Sequence, residues 1–365
     1  MKRICLISLN LAGGGAQKAL LNQAREFSIN GCKVDIILLK NKVEHTLENN
    51  LYNIYFLSNT RYLSKNKLIN YYLFYKKLKK ILIDLQLNGK YDLLLSHSYD
   101  TDQLLKPMKH LNKYFYIHGT MSYYNKNITF LKKILYSYVY NRENIIAVSQ
   151  SVAEDFLKHC QIKVKTITTI YNMFDFENIK RLSKEPIDIE DDYILHVGSF
   201  VKLKRHDLLI KAYKISNIKY KLVLLGKIDL DDRYIRELKI LIKNLGLEER
   251  IIFRGFEINP YPFINKAKLL VLSSDTEGLP TVLIESLILN TMVVSTNCKS
   301  GPSEIMTNEL SEFLSPAGDE YLLGKNMKKA IDNPLNITGR YIKKFTSVEI
   351  YKQFLLLIKK RRISC

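Results

Sequence analysis

Short apolar runs alternate with amphipathic helical patterns along the whole chain, and this alternation limits what the chain can fold into. Such an alternation predicts parallel β-sheets covered by helices, once in each half of the sequence. The first half contains the runs ICLISL, VDIILL, IYFL, YDLLLS, YFYIH, NIIAVS and TITTIY, and the second half contains YILHVG, YKLVLLG, IIFRG, KLLVLSS and MVVST.

The length of 365 residues suits two domains of ordinary size. The polar segment FENIKRLSKEPIDIEDDY, which contains Pro186, predicts a linker between the two sheets. We therefore expect a first domain over residues 1–186 and a second over 187–340. The remaining segment, residues 341–365, has a helical pattern and is expected to pack back onto the first domain.

Composition and charge limit the classes of protein to which the chain can belong. With 47% hydrophobic and 25% charged residues, the chain predicts a packed, soluble globular protein without a membrane span. Its five cysteines form no zinc-ligand pattern, which indicates reduced thiols and a cytoplasmic location. The formal net charge of +20, most of it in the first half, favours an anionic partner. Nucleic acid, an acidic membrane surface and a phosphorylated substrate all fit that charge.

A glycine-rich turn follows the first predicted strand. Gly13, Gly14 and Gly15 would let the backbone approach a ligand, and the helix that follows presents N–H groups to an anion. The spacing matches neither G-x-G-x-x-G nor G-x-x-x-x-G-K-[ST], which disfavours a dinucleotide-binding dehydrogenase and a P-loop NTPase. A tight strand-to-helix turn without a ligand is the alternative.

Three further loops carry candidate site residues in the second half. In YILHVGSFVKLKRH a strand ends at Gly198, and the cations Lys202, Lys204 and Arg205 follow it, either as phosphate ligands or as a solvated basic loop.

In SSDTEGLPTVLIESL a helix is expected to begin near Pro280, with Glu277 in the loop before it and Glu285 about one turn into it. After MVVST comes the turn SGPSE, with Gly301 and Glu304. Because all three loops follow strands of one sheet, we expect them to converge on a phosphate-binding pocket.

These motifs resemble those of the retaining glycosyltransferases of family 4, also called glycosyl transferases group 1. The spacing E-x7-E, here Glu277-GLPTVLI-Glu285, followed after a strand by SGPSE, is the most specific element. The resemblance implies an α/β fold of two Rossmann-like domains facing across a cleft (GT-B). It also implies that the first domain binds the acceptor, that the second binds a nucleotide sugar, and that the C-terminal helix returns to the first domain.

The resemblance also implies roles for single residues. Glu277, Lys204 and His118 would be the catalytic residues, with Glu277 and His118 near the sugar. Glu285 would bind the ribose hydroxyls. The remaining donor-binding candidates are the glycines of the first loop, Gly198, Lys202, Arg205, Gly226, Phe256 and the turn residues Gly278, Leu279, Pro280, Thr281 and Val282.

Within that set, Gly226 and Phe256 match positions that line the base, and the N–H groups of Thr281 and Val282 would hold the diphosphate with Lys204. Asn172 matches the Asn that ends the first domain in many relatives. Ser199 stands where the family usually has Arg, so Lys202 or Arg205 is expected to supply a second cation. A packed or capping role is the alternative for His118.

The implied reaction uses no metal and no cofactor other than the donor substrate, and Asp191, Asp192 and Asp229 to Asp232 are interpreted as solvated turns. The resemblance implies that configuration is retained by front-face attack, in which the departing phosphate takes the acceptor's proton. A glycosidase would also use two acids, but the helix position expected of Glu285 disfavours it. A sugar-nucleotide epimerase or a phosphorylase on the same fold is the closer alternative.

The acceptor is expected to be a cell-surface or lipid-linked glycan, and the donor a UDP-hexose or UDP-N-acetylhexosamine. The segment KLINYYLFYKKLKKILIDLQ places Leu68, Tyr72, Leu78, Ile81 and Leu85 at helical spacing beside lysines, and FLKKILYSYVYNR is similar. This pattern indicates either docking on an anionic membrane or a core-packed surface helix. Nucleic-acid binding is disfavoured because no recognised module appears.

Overall fold

The computed structural model describes residues 1–59, 63–124, 130–160, 162–228 and 233–363, and divides the chain into two compact units. Unit 1 comprises Met1–Phe174 together with Phe345–Cys365, and unit 2 comprises Asp175–Lys344. Each unit contains one parallel sheet covered by helices.

The sheet of unit 1 has seven strands in the order β3-β2-β1-β4-β5-β6-β7, so the chain order reverses between β1 and β4. In open α/β sheets the crevice at such a reversal, at the carboxyl ends of the strands, is where ligands bind. The strands are β1 (Arg3–Ser8), β2 (Lys33–Leu38), β3 (Asn53–Phe56), β4 (Leu93–Ser96), β5 (Lys113–Ile117), β6 (Asn144–Ala147) and β7 (Thr166–Thr169).

Helices connect these strands and cover the sheet. The helices of unit 1 that precede β7 are α1 (Gly15–Ile29), α2 (Lys67–Gln86), α3 (Tyr99–Leu105), α4 (Met121–Tyr124), α5 (Phe130–Tyr140) and α6 (Gln150–Cys160).

Unit 2 repeats the design with a six-stranded sheet in the order β10-β9-β8-β11-β12-β13, and its chain order reverses between β8 and β11. Its strands are β8 (Tyr193–Val197), β9 (Lys221–Leu225), β10 (Ile251–Gly255), β11 (Leu269–Leu272), β12 (Val293–Asn297) and β13 (Leu314–Pro316). Its helices are α7 (Phe176–Leu182), α8 (His206–Ser216), α9 (Arg233–Asn244), α10 (Tyr261–Lys266), α11 (Thr281–Ile288), α12 (Pro302–Ile305) and α13 (Glu320–Asp332).

The C-terminal helix α14 (Ser347–Ile363) belongs to unit 1. It contacts α1, and the ring of Phe354 lies edge-on to that of Phe27 with the centroids 5.2 Å apart. The predicted return of the tail to the first domain is therefore confirmed, although the helix begins at Ser347 after two short 3-10 turns.

The strand predictions are confirmed for every apolar run, and β13 is the strand that the sequence did not reveal. The predicted domain boundary at residue 186 lies about one helix too late, because α7 packs against α10 and α11 of unit 2. The polar composition of that segment was interpreted as a linker, whereas its apolar residues, such as the buried Ile179, anchor it to the second unit.

The prediction of which residues of α2 form its buried apolar face was only partly correct. Its buried residues are Phe74, Leu78 and Leu82, whereas Leu68 and Tyr72 are exposed. The sequence contains apolar residues on both sides of this helix, so periodicity alone did not identify the side that packs. None of the helices in the described ranges is long and apolar enough to cross a membrane.

Close backbone contact between two strand ends shapes the carboxyl edge of unit 2. Gly198 follows β8 and Gly226 follows β9, and these strands are neighbours. A Cβ atom added at Gly226 would overlap the backbone carbonyl of Gly198. The sequence therefore needs glycine at Gly226 for packing, whatever ligand lies above it.

We expect Gly226→Ala to lower the free energy of unfolding by about 1–3 kcal/mol, because the backbone of Gly198 must move to admit the methyl group. Gly339→Ala is the matched control, since a Cβ atom there meets nothing within 4 Å. Chemical denaturation of both variants measures the difference. Equal stability of the two variants would contradict the proposed close approach.

Candidate functional site

Three loops at the carboxyl edge of unit 2 are bonded to one another. They follow β8, β11 and β12, which are adjacent strands. The N–H of Asp275 donates to the carbonyl of Leu203 at 3.0 Å, and the N–H of Glu277 donates to the carbonyl of Lys299 at 3.2 Å. The hydroxyl of Thr296 donates to the carbonyl of Ser274 at 2.7 Å. The predicted convergence of these loops is therefore observed, at the point where the chain order of the sheet reverses.

Gly301 lets the SGPSE turn lie directly against the turn that contains Glu277. Its φ of +96° is a conformation that L side chains rarely adopt, and a Cβ atom there would overlap Pro280. The same Cβ atom would lie 3.0 Å from the carbonyl of Gly278. The two turns therefore form one continuous surface in front of α11.

Lys204 and Glu277 form an ion pair on this surface. The Nζ atom of Lys204 lies 2.5 Å from Oε1 of Glu277, and the two side chains are 22% and 11% exposed. The hydroxyl of Ser274 donates to the same carboxylate oxygen at 2.6 Å. Residues from the loops after β8 and β11 thus hold the Glu277 carboxylate in one position.

Helix α11 begins directly after the Glu277 turn. Pro280, predicted near the first helical position, is instead the N-cap residue, because the helix begins one residue later at Thr281, and it makes no side-chain capping bond. The first turn contains no acidic residue, so the N–H groups of Thr281 and Val282 are available to an anion. Glu285 is the fifth residue of this helix, and is buried at 4% exposure.

The two other cations of this loop are engaged by carboxylates. The Arg205 guanidinium donates to Asp207 at 3.1 Å and to Asp275 at 2.9 Å. The hydrogen bonds of Asp207 raise the pKa of Arg205 above its ordinary value. Lys202 is exposed, with Nζ 3.7 Å from Glu237. The expectation that Lys202 or Arg205 replaces the arginine absent at Ser199 stays a prediction.

The remaining donor-binding candidates of unit 2 lie at the same edge of the sheet. Gly198 and Gly226 follow β8 and β9, and Leu279 is buried in the turn before α11. Phe256 follows β10 and is 58% exposed. An exposed aromatic ring at the carboxyl edge is consistent with the predicted contact with a base.

The unit 1 candidates lie at the carboxyl edge of its own sheet. Gly13 and Gly14 follow β1, and α1 begins at Gly15 without a side-chain cap. Gly13 has a φ of +110°, and its carbonyl lies 2.9 Å from Nε2 of His45. His118 follows β5, and its Nε2 atom lies 3.0 Å from Nδ1 of His97. Asn172 is buried in the segment after β7.

Several site residues were missed by the sequence reasoning. Ser274 and Asp275 lie inside the quoted motif but were read only as loop, and His97 ends the run LLLSH without an obvious partner in sequence. Their partners are 3, 70 and 21 positions away along the chain. The sequence signal that could have identified them is a polar residue shortly after a buried strand, since such residues lie at the carboxyl edge of the sheet.

Three buried histidines, His97, His196 and His206, and the partly exposed His118 lie at these strand ends or next to them. Burial lowers the pKa of His196 to about 4, and burial, together with the nearby His196 and Lys204, lowers the pKa of His206 to about 2. Burial also lowers the pKa of His118 to about 4 and that of His97 well below its ordinary value. All four side chains are therefore neutral near pH 7.

Acidic residues do not gather into a metal site in the described ranges. No group of three or more His, Cys, Asp or Glu side chains there is placed to hold a metal ion. Asp191 and Asp192 each lie within 4 Å of a lysine, at 3.8 Å from Lys221 and 3.2 Å from Lys268. The segment from Asp229 to Asp232 lies outside the described residues.

The overall fold is that of known glycosyltransferases. HepE from Anabaena, solved in complex with UDP and glucose, superposes with a TM-score of 0.76 at 17% identity, over 99% of this chain and 100% of that chain. Sucrose-phosphate synthase from Thermosynechococcus elongatus superposes with a TM-score of 0.80 at 17% identity, over 100% of both chains. Two Rossmann-like units in this arrangement along the chain define the GT-B class.

Two family models match the sequence and together span residues 13–346. The model described as Glycosyltransferase Family 4 matches residues 13–178, and the model described as Glycosyl transferases group 1 matches residues 178–346. The chain therefore belongs to this family of GT-B glycosyltransferases.

Curated relatives align over part of their length. The N-acetylgalactosamine-N,N'-diacetylbacillosaminyl-diphospho-undecaprenol 4-alpha-N-acetylgalactosaminyltransferase of Campylobacter jejuni is 35% identical over 204 residues, 56% of this chain and 55% of that protein. An uncharacterized glycosyltransferase of Methanocaldococcus jannaschii is 31% identical over 274 residues, 68% of this chain and 66% of that protein. The chain thus spans between about half and two-thirds of these relatives.

The neutral buried histidines predict a loss of stability in mild acid. Below the ordinary pKa of 6.5 the unfolded chain protonates them, whereas the folded protein does not until about pH 4 or below. Stability is therefore expected to fall as the pH falls from about 6.5 to about 4. His206→Phe, which keeps a ring against Phe200, should reduce this loss by up to about 1.4 kcal/mol per pH unit.

The measurement is denaturation of the wild type, of His206→Phe and of a control variant across this pH range. The control is His110→Phe at an exposed position, which should leave the dependence of stability on pH unchanged. An unaltered slope in the His206 variant would show that His206 is not held neutral.

Proposed function

We propose that this chain is a retaining, metal-independent glycosyltransferase that moves a hexose or N-acetylhexosamine from a UDP-sugar to a lipid-linked or cell-surface glycan. The observation that carries this proposal is the Lys204–Glu277 ion pair, which lies beside the uncapped start of α11. A cation, a fixed carboxylate and unused helix N–H groups together suit a sugar diphosphate.

Lys204 stabilises the charge that develops on the leaving phosphate. Its ammonium group has three N–H donors, and the bond to Glu277 uses one of them. The remaining donors are available to diphosphate oxygens. Because the side chain is only 22% exposed, its interaction with a bound phosphate is screened less than it would be in water.

The start of α11 supplies the second part of the phosphate site. The N–H groups of Thr281 and Val282 lie at the positive end of the helix dipole, which favours a bound anion. Ser199 provides no cation, and Arg205 is committed to Asp207 and Asp275. Helix N–H groups therefore share with Lys204 the stabilisation that relatives obtain from arginine.

Glu277 and Glu285 bind two different parts of the donor. Glu277, fixed by Lys204 and Ser274, accepts hydrogen bonds from hydroxyl groups of the transferred sugar. Glu285 lies four residues into α11, about 6 Å along the helix axis, and binds the ribose hydroxyls. In this arrangement neither carboxylate is a nucleophile, so retention follows from front-face attack with the leaving phosphate oxygen as the base.

The names of relatives support the choice of substrates. Two Campylobacter jejuni proteins whose names describe the transfer of N-acetylgalactosamine to diphospho-undecaprenol-linked glycans are 35% and 27% identical to this chain over 204 and 205 residues. HepE from Anabaena has been solved with UDP-glucose. An N-acetylhexosamine carried by UDP, and an acceptor carried by a polyprenyl diphosphate, are therefore the first substrates to test.

We expect UDP-N-acetylhexosamines to raise the melting temperature of the protein more than GDP-sugars do, because a ligand that binds only the folded state stabilises it. Lys204→Ala should abolish this shift, since it removes the diphosphate cation. Lys204→Ala and Glu277→Ala should each lower the rate of sugar transfer by at least about 100-fold while the protein stays folded. Thermal shift and a radiolabelled transfer assay are the measurements.

Lys211 and Glu320 provide the matched control for this pair. They form an exposed ion pair at 3.3 Å between α8 and α13, so alanine at either position should leave transfer unchanged. Full activity of Lys204→Ala or Glu277→Ala would refute the proposed site. Sugar product formed without any acceptor would instead indicate an epimerase.

The exposed side of α2 supports a peripheral location on the cytoplasmic face of a membrane. Leu68 and Leu87 are each 81% exposed, and between them the exposed side carries further apolar and cationic residues at helical spacing. These residues are Ile69, Tyr72, Lys76, Lys79, Lys80 and Ile83. In α5 the side chains of Ile134, Leu135 and Tyr138 are also exposed. We propose that this surface binds an anionic bilayer, where a lipid-linked acceptor resides.

Replacing two lysines of this surface should weaken binding to anionic vesicles. Each lysine near an anionic surface contributes about 1 kcal/mol, so Lys79→Gln with Lys80→Gln should weaken binding roughly 30-fold. Lys239→Gln with Lys243→Gln in α9 is the control with the same charge change. Co-sedimentation with phosphatidylglycerol and phosphatidylcholine vesicles measures the effect. Equal binding of both double variants, or no binding by the wild type, would refute docking through α2.

A further inference from the structure

Two histidines at neighbouring strand ends of unit 1 form a hydrogen bond that the proposed reaction has not used. His97 follows β4 and His118 follows β5, and these strands pair in parallel. The Nδ1 atom of His97 lies 3.0 Å from the Nε2 atom of His118. His97 is buried, whereas His118 is partly exposed. The pair therefore connects the interior of the unit to its carboxyl edge.

An aromatic stack fixes both rings. The ring of Tyr116 lies nearly parallel to that of His97, with the centroids 5.0 Å apart, and 4.8 Å from that of His118. The hydroxyl of Tyr116 donates to the carbonyl of Ile170 at 2.7 Å, which holds the stack in place. With the rings held, the positions of the ring protons are what remains variable.

Each ring carries one proton near pH 7. Burial lowers the pKa of His118 to about 4, and burial together with His118 lowers the pKa of His97 well below its ordinary value. In a bond between two neutral imidazoles one nitrogen must donate and the other must accept. Two proton arrangements are therefore available, and they leave opposite chemistry on the exposed side of His118.

The second nitrogen of His97 decides between the two arrangements. Its Nε2 atom is buried and has no hydrogen-bond partner among the described residues. A buried N–H without a partner is rarer in proteins than an unused acceptor, because the lost donor bond is costly. His97 is therefore expected to leave Nε2 bare and to carry its proton on Nδ1.

We infer that His97 donates its Nδ1 proton to Nε2 of His118 and thereby holds His118 in the tautomer that carries its own proton on Nδ1. No described residue forms a hydrogen bond with Nδ1 of His118. His118 thus offers a neutral N–H donor to an oxygen of the substrate. His97 is a positioning residue, and its effect on transfer rests on the proposed function.

The tautomer can be measured without any substrate. In the full chain labelled with 15N-histidine, NMR spectra that correlate ring nitrogens with ring protons identify the protonated nitrogen of each histidine near pH 7.5. The His118 signals are assigned by their absence in His118→Phe. We expect His118 to be protonated on Nδ1 in the wild type. Protonation of His118 on Nε2 would overturn the inference.

Two variants of His97 separate ring packing from hydrogen bonding. His97→Phe keeps a ring against Tyr116 but removes the donor, so His118 should move toward the Nε2-protonated tautomer that free histidine prefers. His97→Asn places an amide N–H near the position of Nδ1 and should keep His118 protonated on Nδ1. An unchanged His118 tautomer in His97→Phe would overturn the inference, even if both variants were less stable.

Sugar transfer tests the consequence for function. His97→Phe should lower kcat by on the order of tenfold, as expected for the loss of one oriented hydrogen bond, and His97→Asn should recover most of it. Altered tautomers with unchanged kcat would refute the positioning role. Absence of transfer in the wild type would refute the proposed function instead, and would leave the NMR result unaffected.

Discussion

The strands of both units pair in parallel, and this constraint determines where chemistry can occur in the chain. Parallel strands bring their carboxyl ends to one edge of the sheet. Where the order of the strands along the chain reverses, the connections that leave two adjacent strands run to opposite sides of the sheet and leave a crevice between them. In unit 2 the reversal lies between β8 and β11, so the loops that carry Lys204 and Glu277 become neighbours although the two residues are 73 positions apart. The ion pair, the Gly301 turn and the start of α11 all depend on that arrangement.

Sequence periodicity recovers the strands well because a buried parallel strand is a nearly continuous apolar run. Periodicity fails where a segment is too short to show a pattern, or where its apolar residues do not lie on one side only. β13 has three residues, and β-strands of that length carry little pattern. Helix α2 has apolar residues on opposite sides, and α7 combines a polar surface with the buried Ile179. In each case the deciding contact is made with another element of the same unit, and the pattern of the segment itself does not show it.

Motif spacing identifies the residues of the site but not their partners. The E-x7-E spacing places Glu277 before a helix and Glu285 within it, as the structure has them, while their roles stay predictions. The spacing does not show that Ser274 and Lys204 share the Glu277 carboxylate, or that Arg205 is held by Asp207 and Asp275. A cation adjacent in sequence to a phosphate ligand is not necessarily directed at the same anion.

The carboxyl edges of the two sheets differ in their electrostatics: charged side chains lie at the edge of unit 2, and neutral histidines lie at the edge of unit 1. At the edge of unit 2 the ion pair of Lys204 with Glu277 is partly exposed, and in the proposed reaction this cation faces a leaving group whose negative charge increases. At the edge of unit 1 burial keeps His97 and His118 uncharged. In the proposed reaction a neutral donor suits a hydroxyl or a ring oxygen, because a cation would oppose the positive charge that develops on the sugar.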